Sequence, residues 1–269
     1  MSEDVSIKKS DEKPTIHIVT VTNNTYAKPL AVMLNSLLEN KVSKNPINIY
    51  VIASELSPKN KSLLAKTVGK FNLKIKFIPI NPTIYADFKT VYYLTKETYY
   101  RISIPDLLNE KIQKVIYLDS DIIVKSDITK LWNINIDNYF LGAVEDFWVK
   151  YSKNSHLFIP RESKYFNAGV LLINLKKWRE KQIKNRVIGF IKANSSRIKF
   201  CSQDPLNAIL HDKWLQLDPK WNFMPHYLNY PNLKNIKPAI IHYAGLKKPW
   251  KANFRLKEEY YKYRKNVFI

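Results

Sequence analysis

A mostly parallel β-sheet flanked by helices is the architecture encoded by this 269-residue chain, and three observations carry that reading. Short β-branched runs alternate with amphipathic helical segments, the sequence form of repeated βαβ units. The run Lys114-Val115-Ile116-Tyr117-Leu118 is apolar at successive positions, as a strand covered on both faces must be. Hydrophobic residues make up 45% and charged residues 25%, which is ordinary for a folded chain, and no Gly/Ser linker or internal repeat divides it. Such a sheet carries its ligands outside the carboxyl ends of its strands, near a reversal of strand order.

Residues 1–14 are polar and end at Pro14, so they read as a loose tail ahead of a domain over 15–250 and a basic, aromatic segment over 251–269. Ile16-His17-Ile18-Val19-Thr20-Val21 has the composition of a strand, and Leu30, Met33, Leu34, Leu37 and Leu38 follow helical spacing. Ile47 to Ile52 is the second strand. Ser57-Pro58 supplies an N-cap and first-turn proline for a helix through Leu63, Leu64, Thr67, Val68 and Phe71. Ile75 to Ile80 follows as a strand, then 114–118 and 122–124 on either side of Asp119-Ser120-Asp121. Further strands are expected at 139–144, 170–174 and 239–243, with one helix over about 176–192 and a cap and helix start at Asp204-Pro205. The Pro- and Asn-rich stretch 219–238 reads as loop.

Lys and Arg number 44 against 23 Asp and Glu, a formal net charge of +21, so polyanions are the expected partners: phosphorylated ligands, acidic membranes or nucleic acid. A single cysteine, Cys201, excludes an intrachain disulfide and a Cys-based zinc site. No segment has the roughly 20 apolar residues of a membrane span, and the N-terminus lacks the apolar region of a signal peptide, so a cytoplasmic protein is expected.

Three places concentrate polar chemistry. Asp119 and Asp121, two apart on extended backbone, present their carboxylates to the same side directly after a buried strand, a pattern suited to a hard divalent cation. The same pattern also serves as a turn. Glu145 and Asp146 end the next apolar run ahead of Phe147 and Trp148, and they suit either a site or a solvated strand end. In Ile240-Ile241-His242-Tyr243-Ala244-Gly245-Leu246-Lys247-Lys248-Pro249-Trp250 an imidazole leaves a strand and meets a glycine turn and two ammoniums, an arrangement that fits a phosphate.

Four ordered segments together, Tyr117–Val124, Tyr165-Phe166-Asn167-Ala168-Gly169-Val170-Leu171-Leu172-Ile173-Asn174-Leu175, Gln203-Asp204 and His242–Trp250, resemble the family 8 retaining glycosyltransferases, which include bacterial lipopolysaccharide galactosyl- and glucosyltransferases and, more distantly, glycogenin. The resemblance implies a GT-A fold, Rossmann-like and mostly parallel, a UDP-sugar donor (UDP-glucose or UDP-galactose), Mn2+ or Mg2+ as the metal, and retention of anomeric configuration. It places the metal on Asp119, Asp121 and His242, and the diphosphate against Gly245 and Lys248. It puts nucleobase and ribose near Val21, Thr22, Asn23 and Tyr26, with Asp119 and Ser120 adjoining. Arg101 would steady the donor, Asp146, Asn167 and Gln203 would line the hexose pocket, and Ala168 and Asp204 would also contact the substrate. Two positions depart from the family pattern: Asn23 stands where many bacterial members have Asp, and Ser202 where several have an acidic residue before Gln203.

The position at which a retaining double displacement needs a carboxylate nucleophile is an amide here, Gln203. Same-face attack is therefore the preferred mechanism, with Gln203 and nearby backbone steadying the oxocarbenium-like state and Asp146 as the alternative nucleophile. The acceptor is expected to be a glycan, lipid-linked or protein-linked. In 251–269, Lys257, Lys262, Arg264 and Lys265 lie among Tyr260, Tyr261, Tyr263 and Phe268. At about 1 kcal/mol per basic residue, they would suit an anionic surface, which puts the protein at the inner face of the plasma membrane. The rival readings are a weakly active sugar-nucleotide binding module and a basic nucleic-acid or membrane-binding protein. No nucleic-acid recognition motif is present, so nucleic acid is not expected as a partner.

Overall fold

The computed structural model describes residues 13–90, 94–150 and 158–267, so most of the expected N-terminal tail lies outside the described residues. The chain runs β1 (Ile16–Val21), α1 (Ala27–Glu39), β2 (Ile47–Ala53), α2 (Pro58–Gly69) and β3 (Ile75–Pro79), with β1, β2 and β3 paired in parallel. Ser57 caps α2, its hydroxyl accepting from Asn60 N–H at 3.3 Å. After a 3-10 segment (Lys96–Ser103) and the turn α3 (Ile104–Leu107), β4 (Lys114–Leu118) joins β1 on the side away from β2. The remaining elements are β5 (Ile122–Val124), α4 (Thr129–Trp132), β6 (Leu141–Glu145), α5 (Phe147–Lys150), β7 (Phe166–Asn174), α6 (Leu175–Glu180), α7 (Ile183–Asn194), α8 (Gln203–Leu210), β8 (Trp214–Gln216), β9 (Ile240–His242) and α9 (Lys257–Arg264).

Seven strands form one sheet in the order β3-β2-β1-β4-β7-β6-β8. Its pairs are parallel except those of β7, which runs against β4 and β6. The expected mostly parallel sheet is the one observed. β5 leaves it to pair antiparallel with β9 in a separate two-stranded sheet. Alternate residues of the central strands enter two apolar layers: Ile116 and Leu118 pack with α1 and α2, while Val115 and Tyr117 pack with α6, α7 and α8. This is the burial on both faces that the run at 114–118 requires.

Three local expectations change. The single helix over 176–192 is two, broken where Gln182 adopts left-handed backbone (φ 48). Trp178 and Ile183 are both fully buried, yet on one continuous helix they would point about 140° apart, so the break lets both face the core. α8 starts at Gln203, one residue before Asp204, and the Asp204 side chain is not its cap. The C-terminal segment is also not wholly a surface element: Tyr260, Tyr263 and Val267 are buried in the layer that holds α1, and Asn35 donates to the Tyr263 carbonyl at 3.2 Å. Tyr260 and Tyr263, two of the three tyrosines expected at the surface, are thus spent on the core, and Phe268 lies outside the described residues. Among the described residues no helix is long and apolar enough to cross a membrane.

Candidate active site

Strand order reverses between β1 and β4, and a cavity of about 540 Å³ opens over their carboxyl ends, where an open α/β sheet binds its ligands. Ser120 closes its floor by donating to the Val21 carbonyl at 2.8 Å. Val21, Thr22, Asn23 and Tyr26 line the β1 side. Asn23 Oδ1 accepts from Tyr26 N–H at 3.0 Å, so this side chain shapes the turn into α1.

Asp119, Asp121 and His242 meet in an acidic wall of the cavity, and one donor atom from each lies within 4.8 Å of the others. The pairing of β5 with β9 brings the histidine there: Ile122 sits opposite His242, and Tyr243 N–H donates to the Asp121 carbonyl at 3.0 Å. Each carboxylate commits one oxygen to a fixed partner. Asp119 Oδ1 accepts from Tyr117 Oη at 2.5 Å and Arg101 Nη2 at 2.9 Å, and Asp121 Oδ2 accepts from Lys248 Nζ. The second oxygens face the imidazole, with Asp121 Oδ1 at 3.4 Å and Asp119 Oδ2 at 3.8 Å from His242 Nε2.

Burial by itself would raise the Asp121 pKa, but the Lys248 ammonium and His242 outweigh it and hold this carboxyl well below the usual carboxylate range. Arg101 is 5% exposed, stacks 4.6 Å from the Tyr117 ring centroid and also donates to the Ala168 carbonyl. Burial opposes its charge and Asp119 restores it, leaving its pKa raised. Arg101 borders the cavity, with its guanidinium bonded to Asp119 and to the Ala168 carbonyl.

Lys248 lies at the same wall, 4% exposed, its ammonium held between Asp121 and the Tyr243 carbonyl at 2.8 Å. Gly245 takes φ +98 in the turn between them, a conformation that disfavours any side chain.

The far end is built from amides. Asp146 Oδ2 accepts from Asn167 Nδ2 at 3.0 Å and Gln203 Nε2 at 3.2 Å, and Gln203 Oε1 accepts from Ala168 N–H at 2.9 Å. Glu145 and Asp146 part company here. The β6–β7 register shifts between Ala143 and Glu145, and Asp146 lines the cavity while the Glu145 carboxylate accepts from Gln216 at 3.3 Å. Asp204 does not border the cavity. Its carboxylate accepts from Tyr165 Oη at 2.5 Å and from Lys199 and Phe200 N–H, so it ties the loop before α8 to the core.

Asn222 and His226 carried no signal in the sequence, and Trp148 stood there only as a neighbour of Glu145 and Asp146. Asn222, fully buried, bonds His242 and Asn167; His226 borders the cavity with a buried Nε2 that finds no hydrogen-bond partner; Trp148, 53% exposed, stands at the opening edge-on to Phe200. Burial, reinforced by His242 and opposed by Asp146, lowers the His226 pKa.

The family described as "Glycosyl transferase family 8" matches residues 17–253. The chain belongs to that family. It is 36% identical to general stress protein A of Bacillus subtilis over 92% of each chain, and 32% identical to a putative glycosyltransferase of Haemophilus influenzae over 88% of this chain and 73% of that one. Among solved structures, the galactosyltransferase LgtC in complex with donor and acceptor sugar analogues matches 94% of this chain and 97% of its own, at 26% identity and a TM-score of 0.86. The GT-A fold expected from the resemblance is the fold observed. Membership makes the protein a glycosyltransferase, with a nucleotide-sugar donor and a glycan acceptor.

GT-A enzymes of this kind use a divalent metal, and the acidic wall fits one. Two carboxylate oxygens and an imidazole nitrogen form a donor set suited to a hard or borderline cation. Gly169 leaves the space beside it: a Cβ there would lie 2.2 Å from His242 Cε1 and 3.0 Å from Asp119 Oδ2. Asp119 N–H donates to the Gly169 carbonyl at 2.8 Å, so the β4–β7 pairing fixes this glycine against the acidic pair.

Proposed function

We propose that the protein is a retaining, metal-dependent hexosyltransferase that moves glucose or galactose from the UDP-sugar to a glycan acceptor, free, lipid-linked or protein-linked. The convergence of Asp119, Asp121 and His242 beside buried Lys248 carries this reading. These three residues would hold Mn2+, with Mg2+ as the alternative, and the cation would supply positive charge against a diphosphate leaving group.

The protein's own groups divide the remaining work. Val21, Thr22, Asn23 and Tyr26 would receive the nucleobase and ribose, with Asp119 and Ser120 adjoining. Lys248 and the Gly245 turn would receive the diphosphate. A preorganised donor aimed at developing negative charge contributes about 3–4 kcal/mol to a transition state. Asn167, Ala168, Asp146 and Gln203 would bind the hexose. Gln203 is held by Ala168 N–H and Asp146, so its amide is fixed and a poor nucleophile. Same-face attack follows, in which the departing phosphate oxygen takes the acceptor proton. Asp146 is the alternative nucleophile, and its Oδ2 is already engaged by two amide donors.

A screen of UDP-sugars by UDP release, with and without Mn2+, tests the reading. Turnover of UDP-glucose or UDP-galactose, its loss in the double variant Asp119→Asn/Asp121→Asn, and product with the donor's anomeric configuration by NMR are expected. Inverted product, or a glycosyl adduct trapped on Asp146, would remove the same-face mechanism.

A further inference from the structure

The hydrogen bonds behind the acidic wall form one chain whose direction can be read from its ends. Gly169 N–H points at Asn167 Oδ1 at 2.9 Å, and a backbone N–H can only donate, so the atom it meets is the oxygen. Asn167 Nδ2 therefore faces Asp146 Oδ2 at 3.0 Å, a carboxylate oxygen that accepts. Asn222 meets the same Asn167 oxygen at 2.9 Å and must present its Nδ2 to it. The other end of Asn222, Oδ1, then lies 2.9 Å from His242 Nδ1. An amide oxygen only accepts, so Nδ1 carries hydrogen, and Nε2, the atom that faces Asp119 and Asp121, is the nitrogen left to give its lone pair to a cation bound between them.

The spacing of this chain is fixed by backbone. His242 N–H donates to the Phe223 carbonyl at 2.9 Å, and Phe223 bridges to Ile241, so the residue after Asn222 is stitched to β9. Asn222 is 0% exposed.

We propose that Asn222 is a positioning residue that fixes the tautomer and ring orientation of His242 for metal binding, with Asn167, Gly169 and Asp146 fixing Asn222 in turn. The inference rests on the metal reading above and adds to it a physical link between the hexose end of the cavity, at Asp146, and the cation end, at His242. Outer partners of a ligating histidine typically account for 10–100-fold in metal affinity.

The tautomer is measured directly. In protein with 15N-labelled histidine, with saturating Mg2+ and UDP, a long-range 1H–15N spectrum should show His242 protonated at Nδ1 alone. Any other protonation pattern overturns the proposal, and this needs no variant. Binding of Mn2+ in the presence of UDP, followed by the EPR signal of free Mn2+, gives the second readout. Asn222→Leu should weaken it 10–100-fold. Asn222→Asp keeps an acceptor for Nδ1–H but loses the donor to Asn167, so it should melt earlier yet bind Mn2+ within about threefold of wild type. Retention of wild-type affinity by Asn222→Leu, or equal loss in both variants, overturns the proposal alone. Failure of the wild-type protein to bind Mn2+ overturns the metal reading and this proposal with it.

Discussion

At the acidic wall, Asp119, Asp121 and His242 sit on or beside strand ends and Lys248 in the loop after β9, and each is held by a bond to a named partner. At the opening, Trp148 and Leu246 are 53% and 68% exposed and belong to a short helix and a turn. The wall is set by strand register before any ligand arrives, which preorganised charge stabilisation requires. The opening is set by side chains standing in solvent, which suits a surface that admits acceptors of differing shape. Substitutions at the wall should therefore be costly in chemistry or stability, and substitutions at the opening should change only what is bound.

The largest effect is expected at Gly169. A Cβ at 2.2 Å from His242 Cε1 cannot be accommodated without moving the imidazole or the β4–β7 pair. Gly169→Ala should lower UDP release at least about 1,000-fold, comparable with losing a principal charge-stabilising group. Near-normal turnover would mean that His242 has slack, and the contrast between wall and opening would lose its basis.

Lys248→Ala separates stability from chemistry at the same wall. Removing one partner of a buried ion pair costs about 3 kcal/mol. In a chain of this size that is a fall in Tm of roughly 6–12 °C at pH 7. The pH dependence follows from the depressed pKa of Asp121. A carboxyl whose folded pKa lies below its unfolded value, about 3.9, contributes stability above that pH, and the contribution fades as the pH falls toward the folded value. The gap in Tm between wild type and variant should therefore be full at pH 7 and narrow below about pH 4. A gap unchanged down to pH 3 would show that the ammonium acts through packing alone.

The same contrast explains what the sequence disclosed. Asp119 and Asp121 were legible because strand and carboxylates are adjacent in the chain, and His242 because an apolar run ends on it before a glycine. Their meeting depends on the β5–β9 pairing, which no local pattern announces. Asn222 lay inside a stretch read as loop, where no periodicity marks a buried amide, and only the backbone bridge at Phe223 shows why it is there. Glu145 and Asp146 are equivalent in sequence, and a shift of register decides which one meets the cavity. Asp204 followed the pattern of a helix cap, but its carboxylate is claimed by Tyr165 from β7's approach and by the loop before it. The local chemistry of Asp119, Asp121, His242 and Asp146 was readable from the residues, their convergence came from the family resemblance alone, and the buried amide of Asn222 gave no sign.

The smallest effect is expected at Trp148, and it is the one that most sharpens the division. The indole ring is half exposed, meets Phe200 edge-on with centroids 6.1 Å apart, and borders the cavity at its opening. An exposed ring contributes little burial, so Trp148→Ala should leave Tm within about 1 °C. A flat apolar face at the mouth of a sugar site instead offers a stacking surface, worth about 0.5–1.5 kcal/mol for an aromatic contact. For a glycan acceptor that the protein turns over, KM should rise roughly three- to tenfold, with donor KM and kcat unchanged. The pattern matters more than the size. A rise in donor KM alone would place the indole with the nucleotide-sugar and extend the rigid wall to the edge of the cavity, whereas a rise in acceptor KM alone keeps recognition of the acceptor on the exposed side chains and the chemistry on the strands.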